Sequence, residues 1–63
     1  MLNIAVCDDD IQATGRMERM IQEIAKQNFV DIDIDVFWSG ENLVDAVVEG
    51  ICYDIIYLDI EMD

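Results

Sequence analysis

Hydrophobic and polar positions alternate in three different ways along this chain. Residues 2–7 form a short apolar run containing Ile4 and Val6, and the run stops at Asp8, Asp9 and Asp10. A short apolar run ended by charge reads as a buried strand. From Ile11 to about Gln27 the period lengthens. Met17, Met20, Ile21 and Ile24 fall at helical spacing, Ile11 and Thr14 extend the stripe, and Arg16, Glu18, Arg19, Glu23 and Lys26 lie mostly off it. This predicts an amphipathic helix. Asp9 or Asp10 stands where a carboxylate can accept the free N–H groups of the first turn. The methionines read as core filler, because a flexible thioether suits irregular packing.

Residues 31–36 alternate strictly, with Asp31, Asp33 and Asp35 on one side and Ile32, Ile34 and Val36 on the other. A period of two with acid on one face predicts a half-exposed strand, and charge on that face suits a sheet edge. These three aspartates recur at roughly 6.5–7 Å, too far apart for one ion, so they read as a solvated face. Ser39 follows Phe37-Trp38 as an N-cap for a second helix, with Gly40, Glu41 and Asn42 as its first turn. Leu43, Val44, Val47 and Val48 are expected to make its buried face, and Gly50 its C-terminal stop. Residues 55–58, Ile-Ile-Tyr-Leu, are apolar on both alternating sets, which predicts a central parallel strand covered on both sides and ending at Asp59.

The predicted order is strand, helix, strand, helix, strand, and no hairpin signal separates the strands. Helical crossovers imply parallel pairing and right-handed connections. The expected fold is an α/β, flavodoxin-like doubly wound parallel sheet cut to three strands, in the order second-first-third. In that order the tips of the first and third strands are neighbours, on the side of the sheet where such folds bind ligands. Asp8, Asp9 and Asp59 would then crowd together. Close carboxylates repel, and a hard divalent cation such as Mg²⁺ relieves them, because it takes oxygen ligands and tolerates one or two carboxylates.

Composition narrows the partners. Fifteen acids against three bases give a net charge of −12 in 63 residues, while 54% of the residues are hydrophobic. That apolar share excludes a disordered acidic tail. The charge disfavours nucleic acid and anionic membranes, both of which need Lys and Arg. Neither a signal peptide nor a membrane-length apolar run is legible, so a soluble, cytoplasmic protein is expected. Cys7 and Cys52 are placed roughly 15 Å apart by the expected strands, beyond the ~7 Å that a disulfide spans. Both are expected to be free thiols that pack as small buried hydrophobes.

Two stretches carry a resemblance. Ile4-Ala5-Val6-Cys7-Asp8-Asp9-Asp10, together with Tyr53-Asp54-Ile55-Ile56-Tyr57-Leu58-Asp59-Ile60-Glu61-Met62, resembles the receiver domain of two-component response regulators. Phe37-Trp38-Ser39-Gly40-Glu41-Asn42-Leu43 looks most like receivers of the LytR/AlgR type. The resemblance implies that Asp59 accepts a phosphoryl group from a sensor histidine kinase. It implies Mg²⁺ bound directly by Asp9, through water by Asp8, at the acceptor Asp59, and by the backbone carbonyl of Glu61. Asp10 is the third acid of the cluster, and helix capping is its expected job. The resemblance implies that the module controls an output domain, expected to be transcriptional.

This chain matches only the first half of such a domain. Asp63 stands where proline is common in the family. The family's fourth strand supplies a Ser/Thr and its fifth a Lys, and neither is present, so the chain is expected to be a truncated receiver that is inactive alone. Its bared third strand is expected to drive oligomerisation, with a dimer paired through that strand as one solution. Two other readings compete. Asp59-Ile60-Glu61 faintly resembles the D-x-D of aspartate-nucleophile phosphatases, although those enzymes place the nucleophile after the first strand. Alternatively, every acid is a cap or a solvated face, and the chain is a structural, oligomerising fragment.

Overall fold

A computed structural model describes residues 1–59. The elements run β1 (Leu2–Asp8), α1 (Ile11–Gln27), β2 (Ile32–Phe37), α2 (Gly40–Val48) and β3 (Ile55–Asp59). The three strands form one parallel sheet in the order β2-β1-β3. The class and strand order are those expected. The central strand of the described residues, however, is β1. Ala5, Val6 and Cys7 are fully buried there, and Ile4 nearly so.

Alternation divides β1 between the two helices. Ala5 and Cys7 face α2 and pack with Leu43, and Phe37 and Tyr53 close over them edge to face. Ile4 faces α1, where it lines an apolar recess with Ile21, Ile24 and Ala25. Asn3 and Asp54 tie the starts of β1 and β3 together. The Asn3 N–H donates to Asp54 Oδ2 at 2.8 Å, and the Asp54 N–H donates to the Asn3 carbonyl at 2.8 Å.

Both helices begin as their caps dictate. Asp10 accepts from the N–H groups of Gln12 and Ala13, and Ser39 Oγ accepts from that of Asn42. Both also end the same way. Val30 N–H returns to the Ala25 carbonyl and Phe29 N–H to that of Lys26, and Ile51 and Gly50 repeat the pattern on Ala46 and Val47. These are Schellman motifs, which need a left-handed residue just past the helix. Gly50 supplies it at φ 103°, and Phe29 supplies it at φ 57°.

Four expectations need correction. β3 is not covered on both faces: Ile55, Ile56, Tyr57 and Leu58 are all exposed, Leu58 at 61%. The helices lie over β1 and β2, and neither packs on β3. In α2 the inward line is Leu43 and Ala46, while Val44, Val47 and Val48 face solvent. A nine-residue helix meeting the sheet along one i, i+3 line turns the neighbouring valines away. In α1, Thr14 and Ala25 are buried while Met20 and Ile24 stay open, because the helix spans only two of the three strands. Both cysteines are free, as expected, but Cys52 is exposed, because it lies in the open segment leading to β3.

Candidate functional site at the strand tips

The acids that the sequence brings to attention lie at the carboxyl end of the sheet. Asp8 is the last residue of β1 and Asp59 the last of β3, and the parallel register sets them directly opposite each other. Adjacent strands lie about 4.8 Å apart, and register partners in a parallel pair project to the same face. Both carboxylates therefore share the α1 face of the sheet.

Their environments differ. Asp8 is only 7% exposed, whereas Asp59 is open. Asp8 Oδ1 accepts the Asp10 N–H at 2.9 Å, which fixes its carboxylate across the turn into α1. Asp9 occupies that turn and is exposed. Asp10 is engaged as the helix cap, the role the sequence also allowed it. Glu61 lies outside the described residues. Among the described residues, no group of three His, Cys, Asp or Glu is gathered closely enough to hold a metal ion. The arrangement is thus a pair of carboxylates at one strand end, one oriented and one open.

Cys7 precedes Asp8, and its thiol is pushed up from the ordinary value by burial and then by the Asp8 charge. It stays protonated at neutral pH and is a poor nucleophile or metal ligand. Thr14, one turn into α1, is buried with its hydroxyl fully used. It donates to the Ile11 carbonyl at 2.7 Å and accepts the Trp38 indole N–H at 3.1 Å. Trp38 and Ile11 border a cavity of about 340 Å³ on the α1 side.

A polar pair that sequence reasoning missed lies on the opposite face. The Tyr53 hydroxyl donates to Asp35 Oδ2 at 2.7 Å. Burial, the Asp35 hydrogen bond and the charges of Asp35 and Asp33 push the phenol up to about 12. Strict alternation marked Asp35 as one of three solvated acids. Asp31 and Asp33 are indeed exposed, but Asp35 is half-buried beneath Tyr53. Nothing local signals a partner eighteen residues away. An apolar recess of similar volume, about 340 Å³ and lined by Leu2, Ile4, Ile21, Ile24 and Val30, opens at the other end of the strands, away from the aspartates.

No helix among the described residues is long and apolar enough to cross a membrane. No protein-family model, curated protein or solved structure matches the chain.

Proposed function

We propose that the chain is the phosphoacceptor part of a two-component receiver, with Asp59 as acceptor and a sensor histidine kinase as donor. The observation that supports this reading is the register that puts Asp8 beside Asp59 at the tips of adjacent parallel strands. The resemblance of the sequence around both residues points the same way. In the transfer, an Asp59 carboxylate oxygen attacks the phosphorus of a phosphohistidine. The P–N bond breaks, the ring nitrogen leaves with the electron pair, and an acyl phosphate remains. The chain is then the acceptor in the reaction rather than the enzyme.

Asp8, Asp9 and Asp59 would hold Mg²⁺, with the Glu61 carbonyl as a further ligand. The donor set fits: it is all oxygen, and Mg²⁺ binds through one or two carboxylates and keeps its remaining waters. When bound, the ion supplies positive charge against the phosphoryl oxygens. The chain's own part is positional. The Asp10 N–H holds Asp8 in place, and the register holds Asp59 next to it.

Magnesium titration followed by amide NMR tests the site. The expected result is a saturable shift confined to Asp8, Asp9, Asp59 and their neighbours, weakened in both Asp9→Ala and Asp59→Asn. No shift, or one that survives both substitutions, sinks the reading. A second reading has an observation of its own. The Asp8 and Asp10 carboxylates are already engaged in the turn and the cap, as acids in a purely structural fragment would be. That reading predicts no saturable shift in the same titration.

A further inference from the structure

At its start α1 is anchored by a polar side chain. Ile11 is 69% exposed, and only Thr14 and Ala25 of this helix are buried, one near each end. A valine would fill the place of Thr14 without a hydroxyl to desolvate, and a buried hydroxyl is costly unless it is hydrogen-bonded. Both capacities of this hydroxyl are used. It donates to the Ile11 carbonyl at 2.7 Å and accepts the Trp38 indole N–H at 3.1 Å.

Trp38 is the fixed end of this contact. It directly follows β2, whose last register pair sets Phe37 on Cys7, so it stands at the level of Asp8. It directly precedes Ser39, the N-cap of α2. Its backbone is thus held between a strand end and a helix start. The other end of the contact leads to the acids. The Thr14 N–H donates to the Asp10 carbonyl at 3.1 Å, and the Asp10 N–H donates to Asp8 Oδ1 at 2.9 Å. Trp38, Thr14, Asp10 and Asp8 therefore form one hydrogen-bonded line from the β2–α2 connection to the tip of β1. Asp9 lies in the turn between Asp8 and Asp10.

We propose that Trp38 is a positioning residue for the acidic turn. Through Thr14 it holds the first turn of α1 against the sheet, and so fixes where Asp8 and Asp9 present their carboxylates. The consequence for cation binding rests on the Mg²⁺ reading of that turn. Ligands held in place give up less freedom on binding than ligands that must first be ordered. Coupling between two sites is reciprocal, so a cation on the turn also tightens the indole contact. The β2–α2 connection lies on the side of β1 away from β3, and it thereby senses occupancy of the strand tips.

Trp38 is the chain's single tryptophan, so its indole N–H gives one NMR signal. The full 63-residue chain, isotope-labelled, is titrated with magnesium chloride beside Thr14→Val, Thr14→Ser and Tyr53→Phe. In the unaltered chain the indole signal is expected to shift and saturate together with the Asp8 and Asp9 amides. Thr14→Val should weaken magnesium binding by about fivefold and abolish the indole shift, whereas Thr14→Ser, which keeps the hydroxyl, should retain both. Tyr53→Phe, altered on the opposite face, separates lost stability from lost positioning and should bind as the unaltered chain does. Metal-free amide exchange is the second arm, in which Thr14→Val should lower the protection of the Asp10 N–H by about fivefold. If Thr14→Val does not fold, Trp38→Phe is read in the same two ways. Unchanged Asp10 exchange overturns the inference. So does a magnesium affinity that is unchanged in Thr14→Val, or that falls equally in Tyr53→Phe. Should the unaltered chain bind no magnesium, the reading of the site fails, and Asp10 exchange alone decides whether Trp38 holds the turn.

Discussion

Tyr53 and Asp35 show how much one contact changes a residue. In the alternating run of β2, Asp35 is indistinguishable from Asp31 and Asp33, yet only Asp35 is half-buried and accepts the phenol at 2.7 Å. The Tyr53 phenol ordinarily titrates near 10 and here is pushed up to about 12. The unfolded chain therefore loses this proton before the folded one does. The contribution is complete below about pH 10 and declines as pH rises towards about 12. Tyr53→Phe should lower stability at neutral pH by about 1 kcal/mol, since it leaves Asp35 without its donor. It should also remove that part of the alkaline decline. Urea unfolding of both proteins, from neutral to alkaline pH, checks both effects. By contrast, Asp10 and Ser39 were legible as caps from sequence, because a cap needs only its own next three residues.

At the scale of elements, the two helix ends make an internal comparison. Both close with the same pair of backbone hydrogen bonds. Gly50 was readable as the C-terminal stop of α2 because glycine tolerates positive φ. Phe29 does the same job for α1 at φ 57° while 96% exposed, so its ring repays little of the backbone cost. A left-handed conformation costs a side-chain-bearing residue roughly 1–2 kcal/mol. Phe29→Gly should therefore stabilise the fold by up to about 1 kcal/mol, after allowance for glycine's greater freedom when unfolded. A rise in the denaturation midpoint at unchanged slope is the expected result. The period of α2 identified a helix but not its inward line. Leu43, Val44, Val47 and Val48 are equally apolar, and only contact with the sheet singles out Leu43 and Ala46.

At the scale of the molecule, charge and exposure dominate. A net charge of −12 on so small a chain opposes its own compaction, and salt screens that repulsion over a Debye length of about 8 Å at physiological strength. The thermal midpoint should rise as sodium chloride is raised from low to physiological strength. A midpoint that falls or stays level would mean that attractive pairs outweigh the excess of acid. The strand order brings the acids of β1 and β3 together at one end, and among the described residues the same order places β3 at an edge. Site and open surface are two consequences of one topology.

By itself the sequence determined the five elements, their caps, the parallel α/β class and the concentration of acids after the first and third strands. These follow from local periodicity and from the crossover rule, which need no knowledge of distant partners. Only the tertiary structure decided which apolar residues are covered. Ile55–Leu58 is as hydrophobic as any buried strand, but burial depends on what lies above a residue, and neither helix reaches β3. The pairing of Tyr53 with Asp35 and the register of Asp8 on Asp59 were decided there too, because each joins segments far apart in the chain.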